Sequence, residues 1–304
     1  MMRLEEFAIF HDASPMKQRE GRHLAPSFAA NNLMKNSYQI AFVDLDDTLL
    51  GPDKKISAAN LAALERLREA GVQVAVASGR HYQNIVSFDQ IGLQEWVLSS
   101  NGAVISHAKT GQILLETTMP AALVREVCEQ GRALGMSLIA YHRDGAYIER
   151  DSSWTDLYAR EAGWTPKRVA MESLPADGFQ KIIWAEDPVL ISRLAPKLRN
   201  QFAGRLYVVP TNAHLLEFLA PAGNKAHGAK GLAKHLGLAS INALAFGDGN
   251  NDVELLGWAG LSVAMDHGRE SARKAARLIS PIGPPETAFA RAVDLALSPQ
   301  PFPA

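Results

Sequence analysis

Apolar positions along this chain fall into two alternating rhythms. Short apolar runs rich in β-branched residues, at 38–43 (YQIAFV), 72–78 (VQVAVAS) and 96–100 (WVLSS), predict buried strands. Between them apolar residues recur at helical spacing, as at Leu61, Leu64 and Leu67, in a helix that Ser57 caps and Gly71 ends. A further helix is expected from about His81. Residues 101–116 read as a hairpin turning at Lys109-Thr110-Gly111. Beyond Pro120 the texture changes to a helix at 121–134, a strand pair about Asp144-Gly145, and then helix, strand, helix and strand up to 205–209. A tight Asp-Gly turn joins antiparallel strands, so this stretch predicts a separate α+β module. After HLLEFLA (214–220) the strand-helix alternation resumes, with a helix at 225–236, a strand at 241–247, a helix at 250–258, a strand at 261–265 and a closing helix near 286–297.

The expected fold class is therefore α/β: a doubly wound, mostly parallel sheet built from 37–118 and 210–298, with an α+β module inserted at 119–209. Residues 1–36 lack periodicity and read as a loosely ordered extension, with Met34 resembling a domain start; 299–304 read as a Pro-rich tail.

Composition narrows the function classes. A chain of 304 residues exceeds the roughly 250 to 300 at which single cores stop growing, in keeping with two domains. With 31 basic against 32 acidic residues, net charge −1, it is not expected to bind nucleic acid or a membrane surface. The single cysteine, Cys128, excludes an internal disulfide framework and reads as a small buried hydrophobe. No stretch approaches the roughly 20 apolar residues of a membrane span. These traits predict a cytoplasmic enzyme for a small metabolite, a monomer or weak homo-oligomer.

Polar clusters follow four expected strand ends, where open α/β sheets bind ligands. They are Asp44-Leu45-Asp46, Ser78-Gly79-Arg80, Asn101-Gly102 and the run GDGNND (247–252), with Lys225 at a helix start. Asp44 and Asp46 are two apart and face one side in extended backbone. Asp248, Asn251 and Asp252 share a face if they open a helix. Such an oxygen-rich set suits Mg2+, and Mg2+ suits a phosphate guest. The Ser78 hydroxyl, the amides of Ser78 and Gly79, and the Lys225 ammonium are candidate phosphate ligands, and one carboxylate is a candidate nucleophile.

These residues resemble the motifs of the haloacid dehalogenase (HAD) superfamily. Asp44-Leu45-Asp46-Asp47-Thr48 matches its DxDxT motif, Ser78 its second, Lys225 its third and GDGNND its fourth. VASGR, NGAVI, the segment 221–238 and FGDGNNDVELLGWAGLSVAM resemble the Cof-type (subfamily IIB) branch, over roughly residues 38–293. The resemblance implies a Rossmannoid core with a cap inserted at 119–209, and hydrolysis of small phosphorylated metabolites through an aspartyl-phosphate. By the same resemblance Asp44 is the nucleophile and Asp46 the proton carrier. Mg2+ is held by Asp44, the Asp46 carbonyl and Asp248, supported by Asn251 and Asp252. Ser78, Gly79, Arg80, Asn101, Lys225 and Asn251 contact substrate. Three departures stand out: Asp47 replaces the commoner Gly, AMDHGRESARKAA replaces AMGNA, and PIGPPETAFARAV lacks an acidic-Gly turn.

Competing readings exist for each feature. The histidines lack metal spacing, Lys230 and Lys234 read as solvated helix charges, and RNQFAGR and RESARKAAR as solvated basic faces. Arg80 suits either phosphate or a neighbouring carboxylate. Two other functions share the motifs: a phosphomannomutase-like phosphotransferase, and a non-catalytic module that senses a phosphometabolite. A sensor needs no proton carrier, so the presence of both Asp44 and Asp46 favours turnover.

Overall fold

The computed structural model of the protein describes residues 38–85, 91–92 and 96–298. The extension at 1–36, the course of the expected His81 helix past Ile85 and the tail at 299–304 lie outside the described residues.

In chain order the strands are β1 (Ile40–Val43), β2 (Gln73–Ala77), β3 (Trp96–Ser99), β4 (Val104–His107) and β5 (Ile113–Glu116); then β6 (Ser137–His142), β7 (Gly145–Ile148), β8 (Lys167–Arg168), β9 (Phe179–Ala185), β10 (Tyr207–Asn212) and β11 (Leu215–Leu219); and last β12 (Ala243–Gly247), β13 (Leu261–Ala264) and β14 (Leu278–Ile279). The first sheet has the order β14-β13-β12-β1-β2-β3-β4-β5. It is parallel from β14 to β3, and the β4–β5 hairpin closes one edge antiparallel. The chain leaves β1 for β2 on one side and returns to β12 on the other. The strand order thus reverses at the carboxyl end of β1, where such sheets open a crevice.

Both faces of this sheet are covered. Ala41 and Val43 of β1 join a core with Leu64 and Leu67 of the helix Ala58–Glu69 and Phe289 and Val293 of the helix Ala288–Leu297. Ile40 and Phe42 face the opposite way, onto Ala229 and Leu232 of the helix Lys225–His235. Side chains alternate in size with face: Val74, Val76, Leu244 and Phe246 fill the first core, and Ala75, Ala77, Ala243 and Ala245 the second. The small side chains leave room for the helix that carries Lys225 to lie close to the sheet.

The second sheet has the order β10-β11-β9-β6-β7-β8 and is antiparallel except for the pairing of β7 with β8. The helices Ala121–Ala133 and Pro188–Gln201 cover one face around Trp184 and Phe218. The strand spanning Leu215–Leu219 corrects the sequence reading: HLLEFLA was assigned with the core segment from 210, yet it pairs with β9 and β10 in the second sheet. An apolar run carries no label for the sheet edge it will meet. GDGNND also departs from one continuous helical turn. A 3-10 turn at Asn250–Asp252 precedes the helix Val253–Trp258. Cys128 is buried, and burial pushes its thiol up to about 12, which suits an inert core residue.

Candidate active site

The end of β1 organises the site. The Asp44 amide donates to the Phe246 carbonyl, which ties β1 to β12, and residues 45–49 then turn sharply, with Asp47 at φ 57°. Asp44 is buried, and its Oδ1 accepts a hydrogen bond from Lys225 Nζ at 2.5 Å. The same ammonium donates to Asp252 Oδ1 at 2.6 Å, so Lys225, fully buried, bridges the two carboxylates. Asn224 caps its helix by accepting from the His227 amide at 2.8 Å.

Asp252 Oδ2 accepts from the amides of Asp248 (3.1 Å) and Gly249 (2.8 Å). Asp248 Oδ1 accepts from the Thr48 hydroxyl at 3.0 Å. Carboxylate oxygens of Asp44, Asp248 and Asp252 lie within 4.8 Å of one another. This crowding shifts the carboxyl groups of Asp44 and Asp248 upward. Burial raises the Asp44 carboxyl well above the ordinary range; Lys225 opposes the rise, and Asp252 and Asp248 add to it. Burial with the charges of Asp252 and Asp47 pushes Asp248 up to about 7. One ammonium does not offset three carboxylates. An all-oxygen donor set with surplus negative charge fits a hard divalent cation.

The donors are not equivalent. Asp252 positions Lys225 and the 247–249 loop through both of its oxygens. Asn251 Nδ2 donates to Asn101 Oδ1 at 2.8 Å, an orientation toward the β3 loop. Asp248 and Asp252 bring carboxylate oxygens within 4.8 Å of each other, while Asn251 turns toward the β3 loop.

Asp46 lies on the other side of the turn. Arg80 grips its carboxylate with two hydrogen bonds of 2.7 Å, and Lys54 adds an ion pair at 3.2 Å. Burial alone would raise the Asp46 carboxyl, but Arg80 and then Lys54 hold it below the usual range. Arg80 also donates to the Ala162 carbonyl at 2.6 Å, joining Asp46 to the helix Ser153–Ala162. Of its two sequence readings, the structure realises the carboxylate pair.

Ser78 is buried, and its Oγ accepts from the Arg80 amide at 3.1 Å. Asn101 is fully buried; its Nδ2 donates to Glu217 Oε2 at 2.6 Å while its Oδ1 accepts from Asn251. It was expected to meet substrate; in the structure it is not among the residues that line the cavity, and it fastens β11 to the β3 loop. Asp44, Asp46, Gly79, Arg80, Asp248 and Asn251 line a cavity of about 430 Å³; Ser78, Asn101, Lys225 and Asp252 lie behind its wall.

The opposite wall comes from residues of the second sheet and its helices; among them sequence reasoning pointed only to the aromatics near Tyr141 and missed the charged pair. Tyr141, Tyr158, Glu161, Lys181, Thr211 and Glu217 line it. Lys181 and Glu217 form a buried pair at 2.8 Å, and Lys181 also donates to the Gly79 carbonyl at 2.7 Å. A signal existed: each is a lone charge inside an apolar strand, FQKIIWA and HLLEFLA, and buried charges are rarely unpaired. Among the described residues, no helix is long and apolar enough to cross a membrane.

Comparison with known proteins adds to this geometry. A family model described as haloacid dehalogenase-like hydrolase matches residues 41–282. A relative named HMP-PP phosphatase in Serratia proteamaculans is 32% identical over 241 residues, 75% of this chain and 84% of its own length. One of the same name in Cronobacter sakazakii is 30% identical over 224 residues, 73% of this chain and 82% of its own. In fold, the chain is similar to the crystal structure of a haloacid dehalogenase-like hydrolase from Bacteroides thetaiotaomicron, with a TM-score of 0.74 at 24% identity over 85% of this chain and 99% of that one.

Proposed function

Because this chain belongs to the haloacid dehalogenase-like hydrolases, in their Cof-type branch, and is a phosphatase by that membership, we propose that it hydrolyses small phosphorylated metabolites with Mg2+ through an aspartyl-phosphate on Asp44. The observation that carries this reading is the buried Lys225 bridge between Asp44 and Asp252, beside Asp248 and the cavity.

Asp44 Oδ2 attacks phosphorus, the ester P–O bond breaks, and the leaving alkoxide takes a proton from Asp46. A water then gives a proton back to Asp46 and attacks the same phosphorus, and the Asp44–P bond breaks to release phosphate. Lys225 fixes the attacking carboxylate through Oδ1, and Asp44 lines the cavity. Asp44, the Asp46 carbonyl and Asp248 would hold Mg2+, which supplies charge neutralisation for the phosphoryl oxygens. The Arg80 grip favours the ionised form of Asp46, which accepts a proton from water; to donate to the alkoxide Asp46 must first take up a proton from solvent as an Arg80 contact loosens, and the proton later received from the attacking water restores that form. The second sheet and its helices, from about 119 to 219, act as a cap that excludes water from the reaction.

The expected result of Asp44→Asn is loss of p-nitrophenyl phosphate turnover by about three orders of magnitude or more, with an unchanged circular-dichroism melt. Chelation with EDTA abolishes turnover, and Mg2+ restores it. Undiminished turnover in the variant or after chelation refutes the reading. HMP-PP, for which the Serratia and Cronobacter relatives are named, belongs in the substrate panel with sugar phosphates. Release of inorganic phosphate, rather than transfer to a second sugar hydroxyl, distinguishes hydrolysis from a mutase.

A further inference from the structure

Residues 78–84 carry Ser78, expected from the sequence to bind phosphate, and Arg80, which grips Asp46, yet much of what holds this segment comes from the second sheet and its helices. Arg80 Nη1 and Asn84 Nδ2 both donate to the Ala162 carbonyl, at 2.6 and 3.1 Å. His81 Nε2 donates to the His142 carbonyl at 3.0 Å. In the opposite direction, Lys181 Nζ donates to the Gly79 carbonyl at 2.7 Å. Lys181 is only 1% exposed, and a buried ammonium is costly without partners. Its three N–H donors meet three acceptors: the Gly79 carbonyl and both oxygens of Glu217, at 2.8 and 2.9 Å.

Rigid neighbours set the place of this ammonium. Lys181 stands within the sheet on β9, opposite Tyr141 of β6 and Leu219 of β11, and its Nζ lies 4.4 Å from the centre of the Tyr141 ring. Glu217 is itself held by Asn101 Nδ2 at 2.6 Å and by the Thr211 hydroxyl at 3.0 Å. The far end of the Lys181 bond is the peptide between Gly79 and Arg80. The N–H of that peptide donates to Ser78 Oγ at 3.1 Å, so one peptide plane is held by Lys181 on its carbonyl side and by Ser78 on its amide side. Glycine resists rotation of the peptide that follows it less than other residues do, and the next side chain is the one that grips Asp46. Beyond this peptide the main chain is tied to the β3 loop, since the Arg80 carbonyl accepts from the Ser100 amide at 2.8 Å. Lys181 thus restrains the peptide from which the Arg80 side chain departs.

We propose that Lys181 is a positioning residue for the proton-transfer step: it holds the Gly79–Arg80 peptide, and through it the Arg80 guanidinium, so that the Asp46 carboxyl meets the leaving oxygen. In that step the Asp44–P bond forms, the ester P–O bond breaks, and the Asp46 proton passes to the departing oxygen. Lys181 acts through Arg80 and needs no contact with substrate. The inference rests on the phosphatase reading above and adds to its machinery a residue of the second sheet.

The test compares two esters of similar shape in the presence of Mg2+, p-nitrophenyl phosphate and phenyl phosphate. Phenolate is the stronger base, so its departure depends more on a proton from Asp46. Lys181→Met/Glu217→Gln removes both charges together and leaves neither buried alone. Its kcat/KM for phenyl phosphate is expected to fall about tenfold further than that for p-nitrophenyl phosphate. A smaller folded fraction lowers both rates alike and cancels in their ratio, so Lys181→Met alone is read in the same way should the double variant fold poorly. Glu217→Gln keeps the Lys181 donor at the Gly79 carbonyl and should hold the ratio within about twofold of wild type. Equal losses for the two esters, no loss, or a shift in Glu217→Gln as large as in the double variant each overturn the proposal. If wild-type protein releases phosphate from neither ester, the phosphatase reading fails and this proposal falls with it. Wild-type turnover of both esters with an unchanged ratio in the variants overturns the proposal alone.

Discussion

His81 shows how burial sets the chemistry of one side chain. Its Nε2 donates to the His142 carbonyl at 3.0 Å, its Nδ1 accepts from the Gln83 amide at 3.3 Å, and its ring stacks on Trp164. That tautomer leaves no lone pair for a second proton, and burial lowers its pKa from the ordinary 6.5 to about 4. The unfolded chain takes up a proton as pH falls through 6.5, whereas the folded chain does so only near 4. The contribution to stability is complete above 6.5 and lost between 6.5 and 4, by about 3 kcal/mol. Wild-type protein should therefore lose melting temperature over this window more steeply than His81→Gln. Parallel pH profiles in a thermal-shift series would show that His81 does not titrate in this way.

At the scale of elements, a helix places Lys225 because two glycines let backbones meet. A Cβ on Gly228 would lie 2.9 Å from the Gly102 carbonyl oxygen, and one on Gly102, at φ 82°, would lie 2.7 Å from the Asn224 carbonyl oxygen. Gly228→Ala must push the helix Lys225–His235 away from the 100–102 loop. A loss of about 1–3 kcal/mol in chemical denaturation is expected, with a fall in kcat/KM that exposed Lys230→Ala on the same helix does not show. The helix itself was legible in the sequence as a segment expected at 225–236. Its closeness to the sheet was foreshadowed only by the small residues of VAVA and ALAF.

For the whole molecule, the Lys181–Glu217 pair joins the second sheet to the loops at Gly79 and Asn101 of the first. Lys181→Met leaves Glu217 buried without its cation and should cost about 3–5 kcal/mol. Glu217→Gln strands Lys181 in the same way. The double variant should lose clearly less than the sum of the two, as read from denaturant midpoints; additive losses would show that the pair is not coupled. Further bonds between the sheets run from Ser100 to Gln180 at 2.7 Å and from Asn250 to the Pro210 carbonyl at 2.9 Å. The second sheet is therefore fastened over the cavity on several sides.

By itself the sequence determined which segments become strands and helices, and that Asp44, Ser78, Asn101 and GDGNND follow strand ends, because periodicity, caps and turn chemistry act over a few residues. Tertiary structure decided the partners. It assigned HLLEFLA to the second sheet, set Asn101 between Glu217 and Asn251, and set Arg80 on Asp46. Each of these outcomes depends on groups tens to hundreds of residues apart. A charged or amide side chain has the same local preferences in water as against a buried partner, and only the packing of sheets and helices determines which of the two it meets.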